Sequence, residues 1–93
     1  MRTIRYTSQF KRDYKREKSG RHSKGLDVAL LEVVNLLATD VPMPRQYHDH
    51  PLAGEWADHR DCHIKPDLIL IYRKSGNDYL DLVRLGSHGK LGF

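Results

Sequence analysis

Five of the six histidines in this chain, His48, His50, His59, His63 and His88, lie between Tyr47 and His88, with Asp67 and Arg84 among them. Imidazole is the side chain whose ordinary pKa lies nearest neutrality, so several imidazoles beside a carboxylate and a guanidinium suit proton transfer around an anion. Cleavage of a phosphodiester by its neighbouring 2′-hydroxyl needs such a set. A base removes the hydroxyl proton, an acid protonates the departing 5′-oxygen, and a cation stabilises the charge that gathers on phosphorus. Two histidines can serve the proton transfers and Arg84 the charge. Asp67 can orient an imidazole or stabilise its protonated form. This chemistry requires no metal and no cofactor. A metal site is the competing idea, because His59, Cys62 and His63 are closely spaced and His48 with His50 offers two more ligands. That spacing matches no structural zinc signature, so no metal is expected.

Four strands and two helices are expected to position these residues. Arg2 to Tyr6 alternates and reads as a short strand. Thr7 or Ser8 can cap a helix in which Phe10 and Tyr14 face inward, Lys11, Arg12, Lys15 and Arg16 cover the rest, and Gly20 ends the run. A second helix spans about Leu26 to Thr39. Leu26, Leu30, Val33, Val34 and Leu37 form its apolar stripe, widened by Ala29, Leu31 and Leu36, and Val41-Pro42 stops it. Ala57 to Ile64 is a polar strand, Leu68 to Tyr72 a central strand covered on both faces, and Tyr79 to Leu85 the strand returning from a Gly76-Asn77 turn. The order is β-α-α-β-β-β, an α+β fold with both helices laid on a mainly antiparallel sheet.

Register decides which polar groups meet. A turn at Gly76-Asn77 sets Ser75 opposite Asp78 and Ile69 opposite Arg84, which puts Arg84 on the face of Ile69 and Asp67. At Lys65-Pro66, a two-residue loop pairs His63 with Leu68 and a three-residue loop pairs it with Asp67. His50 is expected on a loop. His88 can return to the same end of the sheet because Gly86 permits a bend. Tyr47, Trp56 and Tyr72 read as packing residues, and His22 as a surface residue.

The 93 residues suit a single domain, 1–93, with one modest core. Net charge is +4, but it is unevenly placed: residues 1–25 hold nine Lys or Arg against Asp13 and Glu17, whereas the remainder is acidic. A basic amino-terminal third suits a phosphate backbone or an acidic protein partner, and Lys11 and Lys15 are its candidate RNA contacts. The single cysteine, Cys62, can form no intramolecular disulfide. No apolar run is long enough to span a membrane. The expected location is cytoplasmic.

Three motifs in sequence resemble the YafQ branch of the RelE/ParE toxin superfamily: Tyr47-x-Asp49-His50-Pro51-Leu52-x-Gly54-x-Trp56, then Arg60-Asp61-x-His63-x-x-Pro66-Asp67 before the Ile69-Leu70-Ile71-Tyr72 strand, and Arg84-x-Gly86-x-His88. The resemblance covers nearly the whole chain. It implies a RelE/ParE-like fold and a ribosome-dependent mRNA interferase, the toxin of a type II toxin-antitoxin module, cutting mRNA in the ribosomal A site and silenced by a cognate antitoxin. DNA would be met only indirectly, through the antitoxin complex. It also implies His50, His63, Asp67, Arg84 and His88 as catalytic positions. His50 and His88 are expected to transfer protons, His63 with Asp67 to position or stabilise, and Arg84 to bind phosphate. Phe93 is expected to stack on a base. The same scaffold admits a ParE-type DNA gyrase inhibitor or a catalytically silent binding module.

Overall fold

The computed structural model describes residues 1–92. Its elements run β1 (Thr3–Tyr6), α1 (Ser8–Lys18), α2 (Leu26–Ala38), β2 (His50–Pro51), β3 (Arg60–Lys65), β4 (Leu68–Ser75), β5 (Tyr79–Gly86) and α3 (His88–Leu91). The strands form one sheet in the order β1-β5-β4-β3-β2; β1 runs parallel to β5 and the other pairs are antiparallel. The α+β class and the element order are as expected, but the sheet has five strands rather than four. The addition is β2, where His50 and Pro51, expected in a loop, pair with Asp61 and Arg60. Proline is tolerated there because an edge strand leaves one row of amides unused.

The two faces of the sheet differ. Leu68, Leu70 and Tyr72 of β4 point to the helices with Cys62, Ile64, Leu80, Leu82 and Leu85, and meet Phe10, Leu26, Val33, Val34, Leu37 and Ala38. Each fully buried side chain of this size contributes about 1.5–3 kcal/mol. Ile69 and Ile71 point to the opposite face, where Leu52, Trp56, Val83 and Leu91 cover them more thinly. Residues of β3 that alternate with Cys62 and Ile64, namely Asp61 and His63, belong to this second face. The apolar stripe of α2 is narrower than its sequence suggests, since Leu31 is exposed.

β1 covers only the first half of the outer edge of β5, and α1 covers the rest with its own polar groups. Thr7 N–H donates to Leu82 O (3.1 Å) and the Thr7 hydroxyl to Val83 O (2.8 Å), while Thr7 Oγ1 also caps α1 by accepting from Phe10 N–H. Asp13 accepts from Leu85 N–H (3.0 Å), and Arg16 donates to Leu85 O (2.9 Å). Four edge groups that a missing strand would leave unpaired are thereby satisfied.

Both expected registers are corrected. Ser75 pairs with Tyr79, so the β4–β5 loop is Gly76-Asn77-Asp78, one residue longer than expected, and a bulge then sets Ile71 opposite Arg84. Two one-residue shifts equal one side-chain repeat, so Arg84 keeps the face of Ile69 and Ile71 while moving along it. In the other hairpin Lys65 pairs with Leu68 and His63 with Ile69, again through a bulge. His63 therefore shares the Ile69 face, and Asp67 lies in the turn itself rather than opposite His63.

Candidate active site

Pairings across four strands align His50, Asp61, Ile71 and Arg84 in one row. Adjacent on the same face is the row His63, Ile69, Gly86. With strands about 4.8 Å apart, Asp61 and Arg84 stand roughly 10 Å from one another across Ile71. The apolar centre formed by Ile69 and Ile71 is thus flanked by polar side chains on the sheet face that bears neither long helix. Ser87 starts α3 by accepting from Lys90 N–H at 3.2 Å, and the helix folds back over Gly86. A Cβ on Gly86 would stand 3.4 Å from both Lys90 Cβ and Leu91 Cδ2, in contact with the helix that brings His88 to this face, and 2.9 Å from Arg16 Nη2.

The imidazoles form a contiguous group. His63 lies between His48 (5.2 Å between ring centroids) and His88 (5.4 Å). Burial lowers the His63 pKa below the ordinary imidazole value; Asp61 opposes the shift, and the neighbouring imidazoles reinforce it. A histidine of this kind is neutral at pH 7 and able to accept a proton. His88 donates from Nδ1 to Asp67 Oδ1 (3.2 Å), whereas Asp67 Oδ2 accepts from Arg21 (2.6 Å). The hydrogen bond from His88, assisted by Arg21, holds the Asp67 carboxyl below its usual range. Asp67 therefore orients His88, not His63 as expected.

His50 is held at one ring nitrogen and faces a carboxylate with the other. Nδ1 lies 2.8 Å from the His48 carbonyl, and Nε2 lies 3.0 Å from Asp61 Oδ1. The chain entering β2 is held by Asp49, which accepts from Arg60 Nε and Nη2 (3.2 and 3.0 Å) and from the Tyr72 hydroxyl. This network joins the residue before His50 to the two strands beside it.

Arg84 belongs to the row but touches none of the histidines among the described residues. Its Nε and Nη2 donate to Asp13 at 2.7 and 3.2 Å, and Arg16 Nη1 donates to the same carboxylate at 2.9 Å. Lys11 and Lys15 are exposed on α1, and Lys11 borders a groove on the helix side of the sheet, away from the imidazoles. Phe93 lies outside the described residues. His59 packs edge-on against Trp56 and stays apart from the group. His22, expected at the surface, is half-buried against Glu17. Cys62 is buried in the helix-side core, facing away from His63, and burial pushes its thiol pKa up. The ligand set imagined from His59, Cys62 and His63 is therefore not assembled.

The sequence reading gave Asp61, Asp13, Arg21 and His48 no role in the site. Asp61 carried a usable signal: it precedes His63 by two in a strand, which places both on one face. Asp13 carried none, because its partners Arg84 and Leu85 are 71 and 72 residues away.

Comparison with known proteins follows the same lines. The family model for "Bacterial toxin of type II toxin-antitoxin system, YafQ" matches residues 2–92. The mRNA interferase toxin YafQ of Escherichia coli (strain K12) is 37% identical over 90 residues, covering 97% of this chain and 95% of that protein. Among solved structures, YafQ from E. coli strain BL21(DE3) superposes with a TM-score of 0.85 at 34% identity, covering 98% of each chain. YafQ in the E. coli DinJ-YafQ complex gives 0.83 at 35% identity, again over 98% of each chain.

Proposed function

The chain belongs to the YafQ family of bacterial toxins of type II toxin-antitoxin systems; it is an mRNA interferase, an endoribonuclease, and from that premise we propose how its residues cut RNA. The observation that carries the proposal is the neutral, half-buried His63 between His48 and His88 on the thinly covered sheet face, with Asp67 bonded to His88. His63, seconded by His50, removes the 2′-hydroxyl proton. The 2′-oxygen attacks phosphorus and the bond to the 5′-oxygen breaks. That oxygen takes a proton from His88, whose ring Asp67 orients through Nδ1, leaving a 2′,3′-cyclic phosphate and a 5′-hydroxyl. Arg84 faces the developing charge from across Ile71 once its guanidinium shares its donors between Asp13 and phosphate.

We assign the ribosome and A-site mRNA as the setting of this reaction. Arg84 stands clear of the imidazoles in the free chain, so binding must complete the constellation, and a ribosome-bound mRNA supplies the alignment of the 2′-hydroxyl with the scissile bond. The exposed lysines of α1, Lys11 and Lys15, serve attraction to ribosomal RNA. The cognate antitoxin, met as an acidic amphipathic segment, suits the same side of the sheet. There Tyr6, Lys11, Leu31 and Val34 border a groove of about 550 Å³. DNA is met through that partner. The compartment proposed is the cytoplasm, where ribosomes translate; among the described residues no helix is long and apolar enough to cross a membrane.

The test is cleavage of mRNA on translating ribosomes by the purified protein, with free RNA as the control. Cleavage confined to the ribosome and slowed about a hundred-fold or more in His63→Ala supports the assignment. An intact message alongside inhibited gyrase supercoiling would transfer the activity to the ParE-type reading.

A further inference from the structure

We propose that Asp61 is a positioning residue of the cleavage reaction: a buried carboxylate that anchors His50 and supplies the counter-charge for the proton that the histidine group carries between substrate atoms. The inference rests on the assignment of these histidines to acid–base chemistry and extends it to a residue that has no part in the steps described above.

Asp61 is 3% exposed, and its Oδ1 is buried without any hydrogen-bond partner among the described residues. Buried carboxylate oxygens are ordinarily satisfied, because leaving one bare is costly. The nearest cation-forming group is His50 Nε2 at 3.0 Å, in the directly paired residue of the neighbouring strand and without hydrogen-bond alignment. The other ring nitrogen of His50 faces the His48 carbonyl, which can only accept, so Nδ1 carries a hydrogen. In a neutral ring so held, Nε2 would present a lone pair to a carboxylate oxygen. Two acceptors at that separation repel, whereas a proton gained by the ring turns the contact into an attraction.

The groups facing Asp61 are His50 from β2, His63 from β3, His88 from α3 and, as an opposing negative charge, Asp49 ahead of β2. Burial pushes the Asp61 carboxyl up, and the three histidines pull it back. When His63 or His50 takes the 2′-hydroxyl proton, the group gains a positive charge next to this buried carboxylate. A fixed charge so placed stabilises the protonated base without touching substrate.

The experiment is single-turnover cleavage on programmed ribosomes from about pH 5 to 9 with wild type, Asp61→Asn and His63→Ala. Asp61→Asn is expected to bind ribosomes normally, cleave about ten- to a hundred-fold more slowly, and shift both limbs of the pH profile to lower pH, since removing a negative charge makes each nearby imidazole easier to deprotonate. A slower rate with unmoved limbs reduces Asp61 to a structural residue and overturns the proposal. Wild-type rate and limbs in Asp61→Asn beside a silent His63→Ala overturn it while leaving the acid–base site standing; an active His63→Ala removes both. Should Asp61→Asn fail to fold, nuclear magnetic resonance of the wild type decides. The Asp61 carboxyl carbon should titrate above the ordinary aspartate range, as its burial beside the histidines requires, and a titration at or below that range overturns the proposal.

Discussion

Replacing Asp13 by alanine tests whether α1 functions as the missing half of an edge strand. The carboxylate accepts from Leu85 N–H (3.0 Å), Arg84 Nε (2.7 Å), Arg84 Nη2 (3.2 Å) and Arg16 Nη1 (2.9 Å), and the residue is 3% exposed. Asp13→Ala leaves a buried amide without its acceptor, which costs about 1–3 kcal/mol. It also strips a partner from two partly exposed arginines, whose share is smaller because water screens them. The expected loss is about 3–4 kcal/mol, a large part of the roughly 5–14 kcal/mol that 93 residues typically command. Asp13→Asn keeps an oxygen for Leu85 N–H and loses only charge, so it should cost about 1–2 kcal/mol. Burial alone would raise the Asp13 carboxyl, but Arg84, the Leu85 amide and Arg16 together hold it below its usual range. A depressed folded pKa contributes stability above the unfolded value of about 3.9 and loses it as pH falls through the folded value, so the gap between wild type and Asp13→Asn should close on acidification. Urea unfolding at neutral and acidic pH measures both. A loss below about 1 kcal/mol in Asp13→Ala, or equal losses in the two variants, refutes the edge-cap reasoning.

Three further outcomes follow from the same geometry. His63→Ala should slow cleavage by about 10²- to 10⁴-fold, and the acidic limb of the wild-type profile should fall below the ordinary imidazole value of about 6.5, because burial lowers His63; a limb above pH 7 contradicts this. Asp61→Asn should raise the urea unfolding midpoint at pH 7. A carboxyl whose folded pKa is raised favours folding only as pH falls through that value, and at neutral pH its buried charge is a cost that the amide removes; a lowered midpoint contradicts it. Gly86→Ala places a Cβ 2.9 Å from Arg16 Nη2, so the guanidinium must move and its bond to Leu85 O is disturbed, while Leu91 at 3.4 Å is brought into contact. The expected cost is about 1–3 kcal/mol by urea unfolding, and an unchanged midpoint would show that α3 does not depend on this close approach.

What the sequence made legible was whatever repeats over short distances. Phe10, Val33 and Leu37 at helical spacing fixed the inner faces of α1 and α2, and the apolar run Leu68 to Tyr72 announced a strand buried on both sides. β2 escaped because two residues, one of them proline, cannot display alternation; only the partner strand reveals the pairing of His50 with Asp61. Both hairpin registers escaped for a related reason. A bulge opposite Ile71 and another beside His63 each add one residue, and nothing in the local residue types marks where a ladder yields.

The consequences for the site were unequal, and side-chain parity explains why. In the β4–β5 hairpin the two errors summed to a full repeat of two, so Arg84 remained on the face expected for it and only its opposite number changed, from Ile69 to Ile71. At the β3–β4 turn the shift carried Asp67 out of the ladder and into the turn, where it meets His88 and Arg21 instead of His63. That displacement reassigns the roles. In the proposed mechanism the carboxylate expected to serve His63 orients the acid, and the one that the motif carried without a stated role, Asp61, stands under the base. On that proposal each proton-handling end of the site has its own carboxylate, an exposed one at His88 and a buried one at His50 and His63. The difference in burial sets the two apart, because a charge screened by water moves a neighbouring imidazole little, whereas one sealed beneath the group acts on every proton the group gains.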